Sequence, residues 1–318
     1  MPASPTPASQ LDPSGTHACL VCGGALSVRF EKVVDPQTLE HFSIEACTVC
    51  GFGQTTPQPD DLGRYYGPAY HGNRHGVTAR YCNWRRLRFT QQALGAPATR
   101  ALDIGCGDGG FLLTLKERGF EVYGTEMSPS IARAAGLTVE ESLDAAAKHG
   151  PFGLITLWQS LEHMRDPVAV MHQAVSMLFD GGTLIAAVPD AQSGQARLFG
   201  ESWVHLDVPR HLFHFGDRSL TRLFDVAGLD VTRSWHHELE IDLLGWSQSA
   251  LNRLGPTPNV FFDLVTGRPV RVGRVRAAAN LALGTAFTAA AVGAVAVTSA
   301  LDDGGTLVVA GRKRRAAK

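Results

Sequence analysis

The 318-residue chain is 44% apolar and 19% charged, with a formal net charge of −1. This composition supplies a sizeable core and excludes a disordered polymer. The charge balance argues against broad electrostatic attraction to nucleic acid, so no nucleic-acid partner is expected.

Residues 1–16 are rich in Pro, Ser, Thr and Ala and carry no apolar run, which predicts a flexible tail and not a secretory signal. A cytoplasmic location is the expectation, and there the six cysteines serve as metal ligands or buried thiols more readily than as disulfides. Cys19-Leu-Val-Cys22 and Cys47-Thr-Val-Cys50 are 24 residues apart, and each pair sits beside glycine. Two such knuckles suit one tetrahedral Zn²⁺, and four thiolates leave no open position, so the metal is expected to be structural. Leu26, Val28 and Phe30, then Phe42 and Ile44, alternate with polar residues as two short strands would. A ribbon over residues 17–56 is too small to fold without such a metal.

Residues 57–96 read as a linker and an N-terminal helix. Tyr65, Tyr66 and Tyr70 either line a pocket or pack the ribbon onto its neighbour, and 77–95 predicts a helix ended by Gly95 and Pro97. Residues 97–240 carry the strongest chemical signal. Ala101-Leu102-Asp103-Ile104 is a short apolar strand running into Gly105-Cys-Gly107-Asp-Gly109-Gly110 and then into a helix with apolar residues at helical spacing. Glycines let a backbone approach a ligand closely, and a helix N-terminus favours a polar or anionic group. A second strand, 121–126, ends in Glu126, 23 residues after Asp103. A carboxylate there can accept both hydroxyls of a ribose, which fits NAD as well as other nucleosides. Next come strand 152–158, Gln159, Leu161-Glu162-His163 and Asp166-Pro167. An amphipathic helix follows, ending at Phe179-Asp-Gly181-Gly182, and then strand 183–188.

This order of motifs resembles the class I S-adenosylmethionine-dependent methyltransferases, in the branch with a Leu-Glu-His…Asp-Pro turn after the fourth strand and Gly-Gly before the fifth. Similar enzymes often carry a cysteine ribbon in front. The resemblance implies a doubly wound, Rossmann-like α/β fold with a mostly parallel seven-stranded sheet whose last strand is antiparallel. It also implies S-adenosyl-L-methionine as cofactor. On the matching positions, Asp103, Gly105 and Gly107 would surround the amino-acid part, Glu126 would bind the ribose and Met127 would flank the adenine. Glu140-Glu141-Ser142-Leu143, after strand 137–139, would reach the adenine amino group, and Gln159 would lie near the methionine moiety. Gly153 departs from the family, which usually has Asp there.

Similar enzymes border the methyl acceptor with a Trp…Asp-x-Pro-Arg-His-Leu…Phe run, matched here by Trp203, Asp207, Pro209, Arg210, His211, Leu212 and Phe213. Histidine suits removal of an acceptor proton. His211 is the first candidate base, followed by His205 and His163. The alternatives are that Arg210 and His211 fix the loop, that His163 caps its turn, and that Trp203 packs the core instead of stacking on substrate.

Residues 229–235 and 305–311 read as strands six and seven, and a basic tail runs to residue 318. The helical apolar insertion between them, 241–304, contains 25 uncharged residues from Ala277 to Leu301. By length this segment can span a bilayer, but a single span would strand the seventh strand on the wrong side of its own sheet. An interfacial helix, a hairpin, a homodimer contact and a packed helical cover stay open. Arg268, Arg271, Arg274 and Arg276 before it suit a membrane surface at 268–301. The expected activity is methyl transfer to oxygen or carbon of a small molecule: a sugar, lipid-linked glycan, quinone or secondary metabolite. An RNA or protein methyltransferase, an NAD-dependent oxidoreductase and a non-catalytic zinc-ribbon binding protein are the alternatives.

Overall fold

The computed structural model describes residues 18–66, 78–95, 98–255, 257–270 and 272–315; the expected tail 1–16 and the positions of Tyr70, Pro97 and Arg271 lie outside them. Strand β1 (Leu26–Val34), β2 (His41–Cys47) and β3 (Gly53–Thr56) form an antiparallel ribbon, one strand more than the alternation predicts. Helix α1 (Ala79–Ala93) follows, inside the expected 77–95.

The main sheet is built from β4 (Arg100–Ile104), β5 (Glu121–Thr125), β6 (Thr138–Glu140), β7 (Phe152–Trp158), β8 (Leu178–Pro189), β10 (Leu229–Trp235) and β11 (Thr306–Lys313). Its order is β10-β11-β8-β7-β4-β5-β6. The pairs β4–β5, β5–β6, β4–β7 and β7–β8 are parallel, while β11 runs antiparallel to both β8 and β10. Strand order therefore reverses between β4 and β7, and ligands of doubly wound sheets lie beyond the carboxyl ends of the strands at such a reversal. Every residue of β7 is buried, as a central strand covered on both faces requires. Gly153 in it has a packing reason: a Cβ there would come within 2.8 Å of the Ala98 Cβ and 2.9 Å of Phe179.

The connecting helices are α2 (Gly110–Lys116), α3 (Ser130–Ala134), α4 (Leu143–Ala146), α5 (Pro167–Ser176), α6 (Gly194–Phe199) and α7 (Asp217–Val226). Helix α5 starts where the Asp-Pro pair predicts: the Asp166 carboxylate accepts from the Ala169 N–H at 2.8 Å, with Pro167 in the first turn. It stops at Ser176, before the expected 179–182, because Leu178 to Gly182 already belong to β8. Strand β11 likewise runs two residues past its expected end.

The two-residue strand β9 (Phe213–His214) joins the two parts of the molecule by pairing with β3, Gly53 opposite His214 and Gln54 opposite Phe213. Phe52, fully buried, lies 5.3 Å from the rings of both Phe213 and Phe215. The ribbon cysteines and these aromatics share one apolar cluster with β7 and β8. The apolar insertion folds as α8 (Leu239–Leu254), α9 (Val260–Thr266) and α10 (Arg274–Ala300). Helix α10 is long and apolar enough to cross a membrane, and only 17% of its most apolar window is buried. It leads into β11, which lies between β8 and β10, so both neighbours of the helix in sequence pack on the same body.

Candidate active site and metal centre

The ribbon brings Cys19, Cys22, Cys47 and Cys50 together, with sulfur separations of 3.6 Å (Cys19–Cys50), 3.4 Å (Cys22–Cys47) and 3.4 Å (Cys22–Cys50). Four thiolates at 2.3 Å from a tetrahedral zinc stand about 3.8 Å apart, so the cluster needs only a slight expansion to hold the ion. Each knuckle is closed by a glycine N–H on the first cysteine's carbonyl, Gly23 to Cys19 at 2.8 Å and Gly51 to Cys47 at 2.9 Å. Burial alone would raise the Cys47 thiol, but backbone N–H groups of Cys50 and Val49 outweigh it and bring it down to about 7. The centre is closed on all four sides by protein ligands, which fits a structural ion.

The glycine turn after β4 lies at the switch point. Gly105 and Gly107 have φ of +75° and +57°, a region costly for any other residue. A Cβ on Gly105 would meet the Ser160 Cβ at 2.7 Å, whereas around Gly107 there is open space within 4 Å. The Gly107 N–H donates to Glu126 at 2.9 Å, so the carboxylate at the end of β5 points back at the turn. Asp103 is buried beneath it and accepts from the Thr156 hydroxyl at 2.6 Å. Burial pushes its carboxyl up to about 7, against the Thr156 bond and the Arg86 charge. Met127 is exposed on the rim. Glu140 is held by Lys148 and His149, both at 2.9 Å, and Ser142 caps α4, so these two side chains are committed locally. Gln159 directly follows β7 with a φ of +51°, and its amide reaches Glu238 at 3.5 Å. A non-glycine in that region at the carboxyl end of a central strand is the kind of strain that clusters at functional sites.

The three candidate histidines divide into two settings. His163 and His211 meet, ring centroids 4.7 Å apart at 76°. The Nδ1–H of His211 donates to the His205 carbonyl at 2.8 Å and that of His163 to the Arg210 carbonyl at 2.9 Å. His211 Nε2 lies 4.0 Å from Glu162 and 3.9 Å from Asp207. His205 itself turns away towards α8: its Nε2 donates to the Ile241 carbonyl at 3.3 Å, and burial lowers it to about 4, leaving a neutral ring. Trp203 packs in the core, 2% exposed, with its indole N–H on Gln195 at 2.8 Å.

Arg210 locks the loop. Its guanidinium reaches Asp207 at 2.6 Å, Asp35 of the ribbon turn at 3.0 Å and the Tyr65 carbonyl at 3.2 Å. Sequence reasoning missed Glu162 and Asp35 as members of this site. Glu162 had a signal, its place beside His163; Asp35 had none, because its partner is 175 residues away.

A family model described as a methyltransferase domain matches residues 74–234, just over half of the chain, and the chain belongs to that family, the S-adenosylmethionine-dependent methyltransferases. Among curated proteins it is similar to enzymes named ubiquinone biosynthesis O-methyltransferase from Xanthomonas campestris pv. campestris and Xanthomonas oryzae pv. oryzae. Each is 27% identical over 146 residues, which is 42% of this chain and 61% of the relative. The chain thus spans about three-fifths of the length of these relatives. Among solved structures it is similar to a methyltransferase of Archaeoglobus fulgidus (17% identity, TM-score 0.46, 80% of this chain and 100% of that one). A second is a complex of the Haloferax volcanii Trm112 activator with a methyltransferase (18% identity, TM-score 0.49, 78% and 96%).

Proposed function

We propose that this chain transfers the methyl group of S-adenosylmethionine to oxygen or carbon of a small molecule, a sugar, lipid-linked glycan, quinone or secondary metabolite. The observation that carries the reading is the hydrogen bond from Gly107 to Glu126 across an open turn at the switch point. Gly105 and Gly107 let the cofactor approach the backbone, Glu126 takes the ribose hydroxyls, and Gln159 borders the methionine end. Asp103 beneath the turn offers negative charge to the cationic cofactor. The methyl is already activated by the sulfonium charge, so the protein's work is alignment of the acceptor with the carbon–sulfur bond. In this reading His211 is the proton acceptor: its Nδ1–H donates to the His205 carbonyl, which puts the ring's lone pair on Nε2.

The name of the Xanthomonas relatives supports an oxygen acceptor on a small molecule. The exposed apolar face of α10, with Arg274 and Arg276 at its start, supports contact with a membrane surface and a hydrophobic acceptor. The location proposed is cytoplasmic. Calorimetric titration with S-adenosylmethionine and, separately, NAD tests the core of the reading: heat with the first only is expected, and heat with NAD only overturns it. An acceptor screen with methyl-labelled cofactor then identifies the product, and unchanged turnover in His211→Ala removes the base assignment.

A further inference from the structure

A cavity of about 270 Å³ lies where the ribbon, the loop after α6 and the apolar insertion meet. Lys32, Val33 and Leu39 of the ribbon, Glu201 and Asp207 of the loop, and Asn259 just before α9 are among its walls. Five non-glycine residues have positive φ among the described residues, and three of them sit on this cavity: Leu39 at +62°, Asp207 at +34° and Asn259 at +60°. Asparagine and aspartate tolerate that region, but a leucine rarely adopts it. Leu39 is also 60% exposed, so burial in a core does not offset the strain. Residues strained in this way collect where a ligand is gripped.

The polar groups on the walls define the occupant. Asp207 uses Oδ1 for both bonds from Arg210, so its Oδ2 remains to accept from a ligand. Asn259 Oδ1 accepts from Asn252 at 3.0 Å, which leaves the amide N–H groups of Asn259 to donate. Glu201 and Lys32 are exposed at the rim. Two carboxylates that accept, with an ammonium and an amide that donate, suit an uncharged molecule carrying several hydroxyls. Val33 and Leu39 add apolar surface for the C–H face of a ring. A quinone carbonyl only accepts, and the two carboxylates would repel it. Cavities for drug-sized ligands run from about 300 to 1,000 Å³, so this one suits a single ring.

From these walls we infer that the cavity holds one sugar ring of the methyl acceptor, its hydroxyls on Glu201, Asp207, Lys32 and Asn259 and its C–H face on Leu39. The inference rests on the methyltransferase reading and narrows the acceptor to a sugar or glycan. Asp207 joins the cavity to the rest of the site, since its Oδ2 is 3.9 Å from His211 Nε2. The ribbon thereby takes part in acceptor recognition. Lys32, Val33 and Leu39 all belong to it, so the cysteine centre that holds its fold also holds one wall of the cavity.

The test uses the full, zinc-loaded chain and saturation-transfer NMR with glucose, galactose, mannose and rhamnose, and with catechol as a ring poorer in hydroxyls. Saturation of the ring protons of at least one sugar is expected, with affinity about tenfold weaker in Glu201→Ala and in Leu39→Gly. Glycine relieves the strain at +62°, so Leu39→Gly should keep its melting temperature while binding sugar less well. A purely structural Leu39 would give the opposite pair of results. Absence of saturation from all four sugars overturns the inference. So does catechol saturation equal to that of the sugars, or sugar affinity unchanged in either variant. S-adenosylmethionine calorimetry on the same samples keeps the two readings apart. Sugar binding without cofactor binding rejects methyl transfer and leaves the sugar site standing, and cofactor binding without sugar binding rejects only the cavity's assignment.

Discussion

Arg210→Ala removes the guanidinium that joins buried Asp35 to half-buried Asp207, and its cost can be worked from the geometry. Arg210 is 2% exposed and Asp35 fully buried, while Asp207 is 23% exposed at its side chain. Alanine deletes the bonds to Asp207 at 2.6 and 3.0 Å, to Asp35 at 3.0 Å and to the Tyr65 carbonyl at 3.2 Å. Breaking a buried pair by removing one partner costs about 3–5 kcal/mol, because the other charge stays buried. At about 2 °C per kcal/mol for a chain of this size, the melting temperature falls by about 6–10 °C. The pH dependence gives a sharper check. Burial would raise Asp207, but Arg210 and His211 outweigh it and hold the carboxyl well below the usual range. A depressed carboxylate contributes stability above its unfolded pKa of about 3.9, and that stability is lost as the pH falls towards the folded value. Without Arg210 the burial contribution dominates, so Asp207 gains a proton more readily in the folded state. The gap between wild type and variant is therefore widest near pH 7 and narrows towards pH 4. Urea unfolding followed by tryptophan fluorescence at both pH values measures it. A loss under about 1 kcal/mol at pH 7, or a gap that widens in acid, refutes the argument.

Three further expectations concern the other contacts. Phe52→Ala empties the space between Phe213 and Phe215 and should cost about 3–5 kcal/mol in denaturant unfolding; the ribbon should then be clipped by protease before the sheet domain, and a loss under 1 kcal/mol would show that the two parts are not coupled there. Gly107→Ala meets no neighbour but must hold φ at +57°, at a cost of about 1–2 kcal/mol, and places a methyl in the cofactor's path; calorimetry should give an S-adenosylmethionine affinity at least tenfold weaker with the fold retained. Asp103, raised to about 7 by burial, should lose its proton when the cationic cofactor binds. Cofactor affinity should therefore rise with pH through 7, and titrations at pH 6.5 in buffers of different ionisation enthalpy should reveal proton release; identical heats in those buffers would contradict it.

The glycine turn, the carboxylate of Glu126, the paired cysteine knuckles and the seven strands were legible because each is local. Glycine marks a turn and a close approach, apolar runs mark buried strands, and a metal knuckle needs only a four-residue spacing. The doubly wound sheet was implied by the order of those motifs, since parallel strands joined by helices have few ways to assemble; the reversal between β4 and β7 came from the structure. What the chain order alone left undecided depends on contacts between segments far apart. Where the His205 and His211 rings lie turns on a carbonyl in α8 and on Glu162, and the placement of Arg210 turns on Asp35 in the ribbon. The ribbon's attachment to the sheet domain runs through a two-residue strand too short to carry a periodic signal. Side chains of one type differ in setting here because folding gives them different partners, and those partners are set by packing rather than by spacing along the chain.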